Sequence, residues 1–153
     1  MLHPKSRGKV TLRSSDPTDS PRIYFNFFDD ESDLVTLRQG LRTVQSIFRQ
    51  SPLRELVASE NAPPKNIESD ADLDQWLRHN CTSSQHPVGT CRMGADDKSV
   101  VDGHLRVRGV DNLRVADCSV MPYVPGSNTN ASAMMLAEKA SDLILHEETC
   151  TTG

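Results

Sequence analysis

The strongest constraint on the fold is a stripe of apolar residues that recurs every three or four positions along residues 34–48. The members of this stripe share one helical face and are Leu34, Leu37, Leu41, Val44, Ile47 and Phe48. Because charged and polar residues fill the positions between them, the segment predicts an amphipathic helix beginning near residue 30. Asp29, Asp30 and Ser32 offer capping oxygens at its start, and Ser51-Pro52 limits its far end. We expect this helix to serve as scaffold.

A different period precedes the helix. Val10 with Leu12, and Ile23 with Phe25, alternate with polar residues, which is typical of strands. The segment between them, residues 14–21, is dense in serine, aspartate and proline, which favour turns. The sequence therefore predicts an antiparallel hairpin with a polar face.

A second helix is predicted after a polar surface excursion at residues 59–69, which contains Pro63-Pro64. It covers Ala71 to Arg78, with Asp70 as its N-cap. Its apolar anchors are Leu73, Trp76 and Leu77.

The character of the chain changes at Asn80. Residues 82–94 are rich in Ser, Gly, Pro and His without a clear period, which indicates an irregular segment placed for chemistry or for close backbone approach. Three short extended pieces follow, and we expect strands at residues 100–101, 105–107 and 113–116. A last helix is predicted from about Thr129 to His146. Its first half is small or apolar on nearly every face, so we expect that half to be buried. We assign Met134 and Met135, which lie in it, to the core.

Composition excludes several classes of protein. With 153 residues, a formal charge of −4, a pI near 5.7 and no basic block, the chain lacks the features of a nucleic-acid binder. No apolar stretch reaches the length of a signal peptide core or a membrane span, so we expect a soluble, cytoplasmic protein. The cysteines are unevenly spaced, and we interpret all four as free thiols. Cys81, His86 and Cys91 imitate part of a zinc knuckle, but a fourth ligand is missing, so we expect no metal site.

Several motifs follow one another in the second half of the chain: His86-Pro-Val-Gly-Thr-Cys-Arg-Met-Gly94, Val100-Val-Asp102, Leu113-Arg-Val-Ala-Asp117, Gly126-Ser-Asn-Thr-Asn130 and Ala137-Glu-Lys-Ala-Ser-Asp-Leu-Ile144. Together they resemble the glucose-methanol-choline oxidoreductases, and in spelling most closely the choline dehydrogenase-like bacterial alcohol dehydrogenases. His3-Pro-Lys-Ser-Arg-Gly8 and the hairpin and helix after it match the family's substrate domain more loosely. Any one motif alone is weak, but their order in one chain makes coincidence improbable.

The resemblance implies an α/β fold, α+β overall, in a two-domain flavoprotein. Residues 1–80 then form part of an antiparallel-sheet, substrate-binding domain. Residues 81–153 contribute the closing strands and terminal helix of a Rossmann-like FAD-binding domain. The Gly-x-Gly-x-x-Gly motif that grips the dinucleotide is absent from the 153 residues. We therefore expect a C-terminal fragment that is inactive alone and needs an N-terminal FAD-binding segment as its partner.

The resemblance also implies a chemistry, in which an FAD enzyme oxidises a small alcohol by moving the hydroxyl proton to a base and a hydride to the flavin. By motif, His86 is the proton acceptor, and Asn128 lies where the family places its second catalytic residue. Positions that line the flavin in relatives correspond to Asp117, Cys118, Asn130 and Ala131.

Elementary chemistry is compatible with both catalytic roles. The histidine side chain exchanges a proton near neutral pH, whereas an asparagine amide can only donate a hydrogen bond to a developing alkoxide. Asn128 has a second interpretation as N-cap of the terminal helix, a role open equally to Ser127 and Thr129. The remaining histidines have polar or helix-end settings that indicate structural or exposed positions; they are His3, His79, His104 and His146. The alternative for the whole chain is a catalytically inactive truncated remnant or a binding module.

Overall fold

The computed structural model describes residues 3–64 and 67–150. They form two compact units that meet in sequence between Thr82 and Ser83. The first unit contains the strands β1 (Lys9–Thr11) and β2 (Arg22–Tyr24) and the helices α1 (Glu31–Phe48), α2 (Leu53–Leu56) and α3 (Asp70–Asn80). The second unit contains a 3-10 helix (Cys118–Val120) and the helix α4 (Asn130–Cys150). The mixture of helices with a small sheet agrees with the α/β class, while the assignment of the units to substrate and flavin domains stays a prediction.

The predicted hairpin is present, and its two strands pair antiparallel with Val10 opposite Ile23. A side chain at Gly8, directly before β1, would place its Cβ 2.2 Å from the carbonyl oxygen of Tyr24. Only glycine permits this close approach of the two backbones. Val10 and Ile23 remain 46% and 58% exposed, so the ribbon is not covered by the described residues.

Helices α1 and α3 begin on side-chain caps. For α1, the carboxylate of Asp30, one of the three candidates from the sequence, accepts a hydrogen bond from the N–H of Ser32 at 2.9 Å. For α3 the predicted cap is wrong: the hydroxyl of Ser69, not Asp70, accepts from the N–H of Asp72 at 3.1 Å. Ser69 has the extended backbone that a cap requires, whereas Asp70 already lies in the first helical turn. The helix therefore begins one residue earlier than expected.

The core of the first unit joins α1 to α3. It consists of Phe28, Leu34, Leu73 and Leu77, with Leu37, Leu41 and Trp76 packed at its margin. Arg38 of α1 donates to Asp74 of α3 at 2.5 Å and adds a partly buried ion pair to this contact. The apolar stripe is buried only toward its N-terminal end, because Val44, Ile47 and Phe48 are each close to half exposed.

In the second unit, the three strands expected before α4 are reduced to isolated bridges, which join Met93 to Val101, Val101 to Val107, and Arg106 to Arg114. Leu105 and Asn112 have φ angles of 65° and 58°, in the left-handed region that an extended strand does not visit. The chain turns at these two residues, so neighbouring segments do not run side by side long enough to form a series of strand hydrogen bonds. The bends still enclose a core, composed of Val101, Leu105, Val120, Met121, Leu136 and Ala140.

Helix α4 begins one residue after the predicted start and extends past His146 to Cys150. Among the residues of α4 up to His146, Leu136 and Ala140 are buried, one turn apart on a single face. Met134 and Met135 are 60% and 63% exposed, so their assignment to the core is wrong for the chain as described. The core of the second unit covers the face of α4 that carries Leu136 and Ala140, and the described residues leave Met134 and Met135 uncovered. No helix among residues 3–64 and 67–150 is long and apolar enough to cross a bilayer.

Candidate active site

The irregular segment that carries His86 is held by backbone hydrogen bonds. The N–H of Cys91 donates to the carbonyl of Ser119 at 2.9 Å, and the N–H of Met93 donates to that of Val120 at 2.8 Å. Gly89 has a φ of 89°, and a Cβ there would lie 3.3 Å from the carbonyl oxygen of Met121. The loop is therefore pinned to the 3-10 helix despite its lack of regular structure.

A surface ion pair stiffens the far end of this loop. Arg92 makes two hydrogen bonds to the carboxylate of Asp96, at 2.9 and 2.6 Å. These bonds, with the N–H of Lys98, lower the pKa of Asp96 to about 2. Arg108 donates to the carbonyl of Gly94 at 2.8 Å from the other side. These hydrogen bonds fix the conformation of residues 92–98, at the end of the loop that carries His86.

His86 is half-buried, and its Nδ1 lies 3.1 Å from the hydroxyl oxygen of Thr129. Its Nε2 makes no hydrogen bond to the described residues, so this nitrogen is available to a ligand. The other histidines are exposed, and Nδ1 of His79 contacts the carbonyl of Gln75 at 2.7 Å. The partnership with Thr129 spans 43 positions in sequence, so no local pattern predicts it.

Asn128 is exposed and lies two residues before the first residue of α4. The carbonyl of Thr129 accepts from the N–H of Ala133 at 2.8 Å, which places Thr129, not Asn128, at the N-cap position. The side chain of Asn128 makes no hydrogen bond within residues 3–64 and 67–150. Because Asn128 precedes Thr129 directly, the contact of Thr129 with His86 brings both predicted catalytic residues to the start of α4.

The four residues predicted to line a flavin fall in two places. Asp117 begins the 3-10 helix, where its carboxylate accepts from the N–H of Ser119 at 2.7 Å. Hydrogen bonds from the side chain and backbone of Ser119 hold the pKa of Asp117 below its usual range. Cys118 is half-buried against the core of the second unit. Asn130 and Ala131 are the first two residues of α4, and both are exposed.

The surroundings of the described cysteines and potential metal ligands bear on the partial zinc knuckle seen in the sequence. Cys81, Cys91 and Cys118 are free thiols, and burial raises the pKa of Cys81. The side chain of Cys150 lies outside the described residues. Within the described part of the chain, no three His, Cys, Asp or Glu side chains lie close enough together to hold a metal ion.

Comparison with known proteins identifies the family. The family model described as GMC oxidoreductase matches residues 4–137, which is most of the chain. The chain belongs to the GMC oxidoreductase family. This confirms the resemblance that the sequence motifs indicated. An oxygen-dependent choline dehydrogenase of Vibrio vulnificus is 44% identical over 147 residues, covering 95% of this chain and 26% of that protein.

Solved structures of GMC oxidoreductases agree with the fold. A variant of formate oxidase from Aspergillus oryzae superimposes with a TM-score of 0.90 at 36% identity, covering 95% of this chain and 26% of that one. An FAD-dependent oxidoreductase from Chaetomium thermophilum gives a TM-score of 0.90 at 33% identity, covering 97% of this chain and 26% of that one. The chain thus spans about a quarter of the length of the relatives that it matches.

Proposed function

We propose that this chain supplies the proton-accepting side of the active site of an FAD-dependent oxidoreductase that acts on the CH–OH group of an alcohol. The observation that carries the proposal is the position of His86. It is half-buried in a pinned loop, one ring nitrogen is held by Thr129, and the other is open beside the start of α4. A general base needs this combination of a fixed ring and a free nitrogen.

In the proposed reaction, Nε2 of His86 accepts the proton of the substrate hydroxyl. The amide of Asn128, which is exposed, donates a hydrogen bond to the oxygen as negative charge develops on it. His86 therefore takes the proton, and Asn128 orients and stabilises the alkoxide. An amide cannot replace the histidine, because it does not accept a proton at neutral pH.

The start of α4 fits the cofactor. The Thr129 hydroxyl is engaged by His86, so no described side chain caps the first N–H groups of the helix. Those groups and the positive end of the helix dipole favour an electron-rich ring or anion, and the small side chain of Ala131 permits close approach. We expect Asn130 and Ala131 to hold the flavin here, with Asp117 and Cys118 contributing from the 3-10 helix. When bound, FAD supplies the acceptor for the hydride of the carbinol carbon.

The remaining parts of the proposal come from the relatives. We infer a choline-like alcohol as the first substrate to test, because the Vibrio vulnificus relative is named a choline dehydrogenase. We also infer that a segment carrying the dinucleotide motif completes the site, since the chain spans about a quarter of that relative. In this arrangement residues 1–80 belong to a substrate-binding domain and residues 81–153 to the flavin domain.

The test is anaerobic reduction of the flavin by choline and by a panel of primary alcohols, using the complete FAD-loaded protein that contains this chain. Replacing His86 with Ala is expected to slow reduction by about a hundred- to ten-thousandfold, the usual effect of losing an acid-base group, while bound FAD is retained. His104→Ala, at an exposed histidine of the same unit, is the matched control and should reduce at the parental rate. The 153-residue chain alone should show no turnover.

Two results would contradict the proposal. Near-parental flavin reduction in His86→Ala would remove the histidine from the chemistry. Retention of FAD without reduction by any alcohol in the unsubstituted protein would instead favour the alternative of an inactive remnant or binding module.

A further inference from the structure

The N-caps of the three long helices use their side chains differently. Asp30 and Ser69 each accept a hydrogen bond from the first turn of their own helix, at 2.9 and 3.1 Å. Thr129 occupies the same position before α4, but its hydroxyl contacts Nδ1 of His86 at 3.1 Å instead. A capping hydroxyl usually stabilises its own helix. At α4 it contacts the ring that the proposed function uses as the base.

We propose that Thr129 is a positioning residue that sets the tautomer and orientation of His86, an inference that rests on the proposed function. A neutral imidazole carries one proton, and the hydrogen bond at one ring nitrogen decides which nitrogen carries it. With the proton on Nδ1, the N–H donates to the Thr129 oxygen, and the lone pair of Nε2 is free. The Thr129 hydroxyl could instead donate to an unprotonated Nδ1, but that tautomer would place the proton on Nε2, which has no acceptor among the described residues. The contact therefore favours the tautomer in which Nε2 can accept the substrate proton.

The segments that carry His86 and Thr129 are both anchored to one core, which fixes the distance between the two side chains. On one side, Leu136 and Ala140 fix α4 to the core that contains Val120 and Met121. On the other side, the loop that carries His86 donates from Met93 to the carbonyl of Val120. Thr129 is also β-branched, which restricts χ1, the rotation that positions its hydroxyl oxygen. Its oxygen is thus held in place before the substrate arrives.

The first test is kinetic and uses the complete FAD-loaded protein. Thr129→Val keeps the shape of the side chain but removes the hydroxyl. We expect kcat to fall by about tenfold or more, a smaller loss than in His86→Ala. KM and FAD content should stay unchanged, because neither substrate nor flavin loses a contact. Thr129→Ser keeps the hydroxyl and should restore kcat to within about threefold of the parent. Equal losses in the Val and Ser variants, or no loss in Val, would overturn the proposal.

The second test reads the ring directly by ¹⁵N NMR of histidine-labelled protein, at a pH where the ¹⁵N shifts themselves show the ring of His86 to be neutral. The parent is expected to show a protonated Nδ1 and an unprotonated Nε2 for His86, and Thr129→Val should shift the population toward Nε2–H. A parent already in the Nε2–H form, or an unchanged tautomer in the Val variant, would refute the positioning role. This readout does not depend on turnover, so it separates failure of this inference from failure of the proposed function.

A matched cap variant controls for stability. Ser69→Ala removes a hydroxyl that bonds its own helix, so it should lower Tm by about 2–4 °C and leave kcat unchanged. Thr129→Val should show the reverse pattern, a loss of kcat with a smaller change in Tm. A Tm loss in Thr129→Val that accounts for its loss of kcat would indicate an ordinary cap.

Discussion

The two units of the chain solve the problem of positioning side chains in different ways. In residues 3–82, long helices with side-chain caps and the Arg38–Asp74 ion pair hold a small core. In residues 83–129, three isolated bridges and a 3-10 helix are the regular features, and single backbone hydrogen bonds hold the loop of His86. The helices of the first unit act as scaffold, and the irregular segment of the second unit carries the residues suited to chemistry.

Irregular does not mean loosely packed. Val101 and Val120 in the second unit are as fully buried as Leu73 in the first. Left-handed residues such as Gln85, next to His86, let the backbone turn where a helix or strand would continue. Each such non-glycine residue costs about 1–3 kcal/mol, which the surrounding contacts must offset. The candidate site is therefore held by the core of the second unit and by its turns. Changes in the two units should then affect different quantities.

The largest expected effect beyond His86 is at Asn128. Asn128→Asp removes the amide donor and places a charge beside the developing alkoxide, so flavin reduction should slow by about a hundred- to a thousandfold. Stability should survive, because Asn128 is exposed and is not the N-cap of α4. Reduction kinetics and thermal melts of the same preparation measure both quantities.

Asn112→Asp is the matched control for Asn128→Asp. It adds the same charge to an exposed loop of the same unit, at a left-handed residue that aspartate tolerates. Its turnover should equal that of the parent. If Asn128→Asp loses activity only in proportion to stability, the catalytic assignment of Asn128 is wrong.

The next effect is on the scaffold. Leu73 of α3 is fully buried in the core that α3 shares with α1. Leu73→Ala should therefore reduce the free energy of unfolding by about 2–5 kcal/mol. Urea titration measures this loss, and turnover per folded, flavin-loaded molecule should not change. Leu56→Ala, at a leucine that is 79% exposed, should stay within about 0.5 kcal/mol of the parent. A fall in kcat per folded molecule for Leu73→Ala would break the division between scaffold and site.

The first unit was largely predictable, because the spacing of apolar residues along the chain determines its helix and hairpin. The stripe of α1, the cap at Asp30 and the hairpin all follow from residues close together in sequence. The cap of α3 was predicted one residue late, because serine and aspartate both cap well and their order alone does not choose between them. The exposure of Ile47 and Phe48 was not predictable, since burial depends on what covers a face.

The residues of the candidate site could be proposed from the sequence, but their contacts could not. Family motifs pointed to His86 and Asn128, whereas Thr129 entered only as a possible cap. Its contact with His86 depends on a loop pinned through Val120, a tertiary arrangement without local signature. The expected strands at residues 105–107 and 113–116 failed for a similar reason: an apolar run bounded by glycine or asparagine also suits a sequence of turns.

The smallest expected effect concerns the buried carboxylate of Asp33, which ties the N-terminal segment to α1. Asp33 is 3% exposed and accepts from the N–H of Lys5 and from both the N–H and the hydroxyl of Ser6, at 2.6–3.0 Å. Burial alone would raise its pKa, but these hydrogen bonds outweigh burial and hold the pKa below its usual range. An asparagine would turn an NH₂ group toward one of these donors. Asp33→Asn should therefore cost about 1.5–3 kcal/mol in the free energy of unfolding near neutral pH.

The pH dependence of that cost distinguishes the carboxylate from simple packing. Because the folded pKa lies below the unfolded value of about 3.9, Asp33 stabilises the fold above that pH, and the contribution is lost as pH falls through the lowered folded value. The stability gap between the parent and Asp33→Asn should therefore narrow as pH falls below about 4 and close below the lowered folded pKa, as measured by urea titration across the acid range. Asp29→Asn, at an exposed aspartate of the same segment, is the control for the substitution itself and should match the stability of the parent near neutral pH. A constant gap between the parent and Asp33→Asn down to low pH would show that the shape of this side chain, and not its charge, anchors the N-terminal segment to α1.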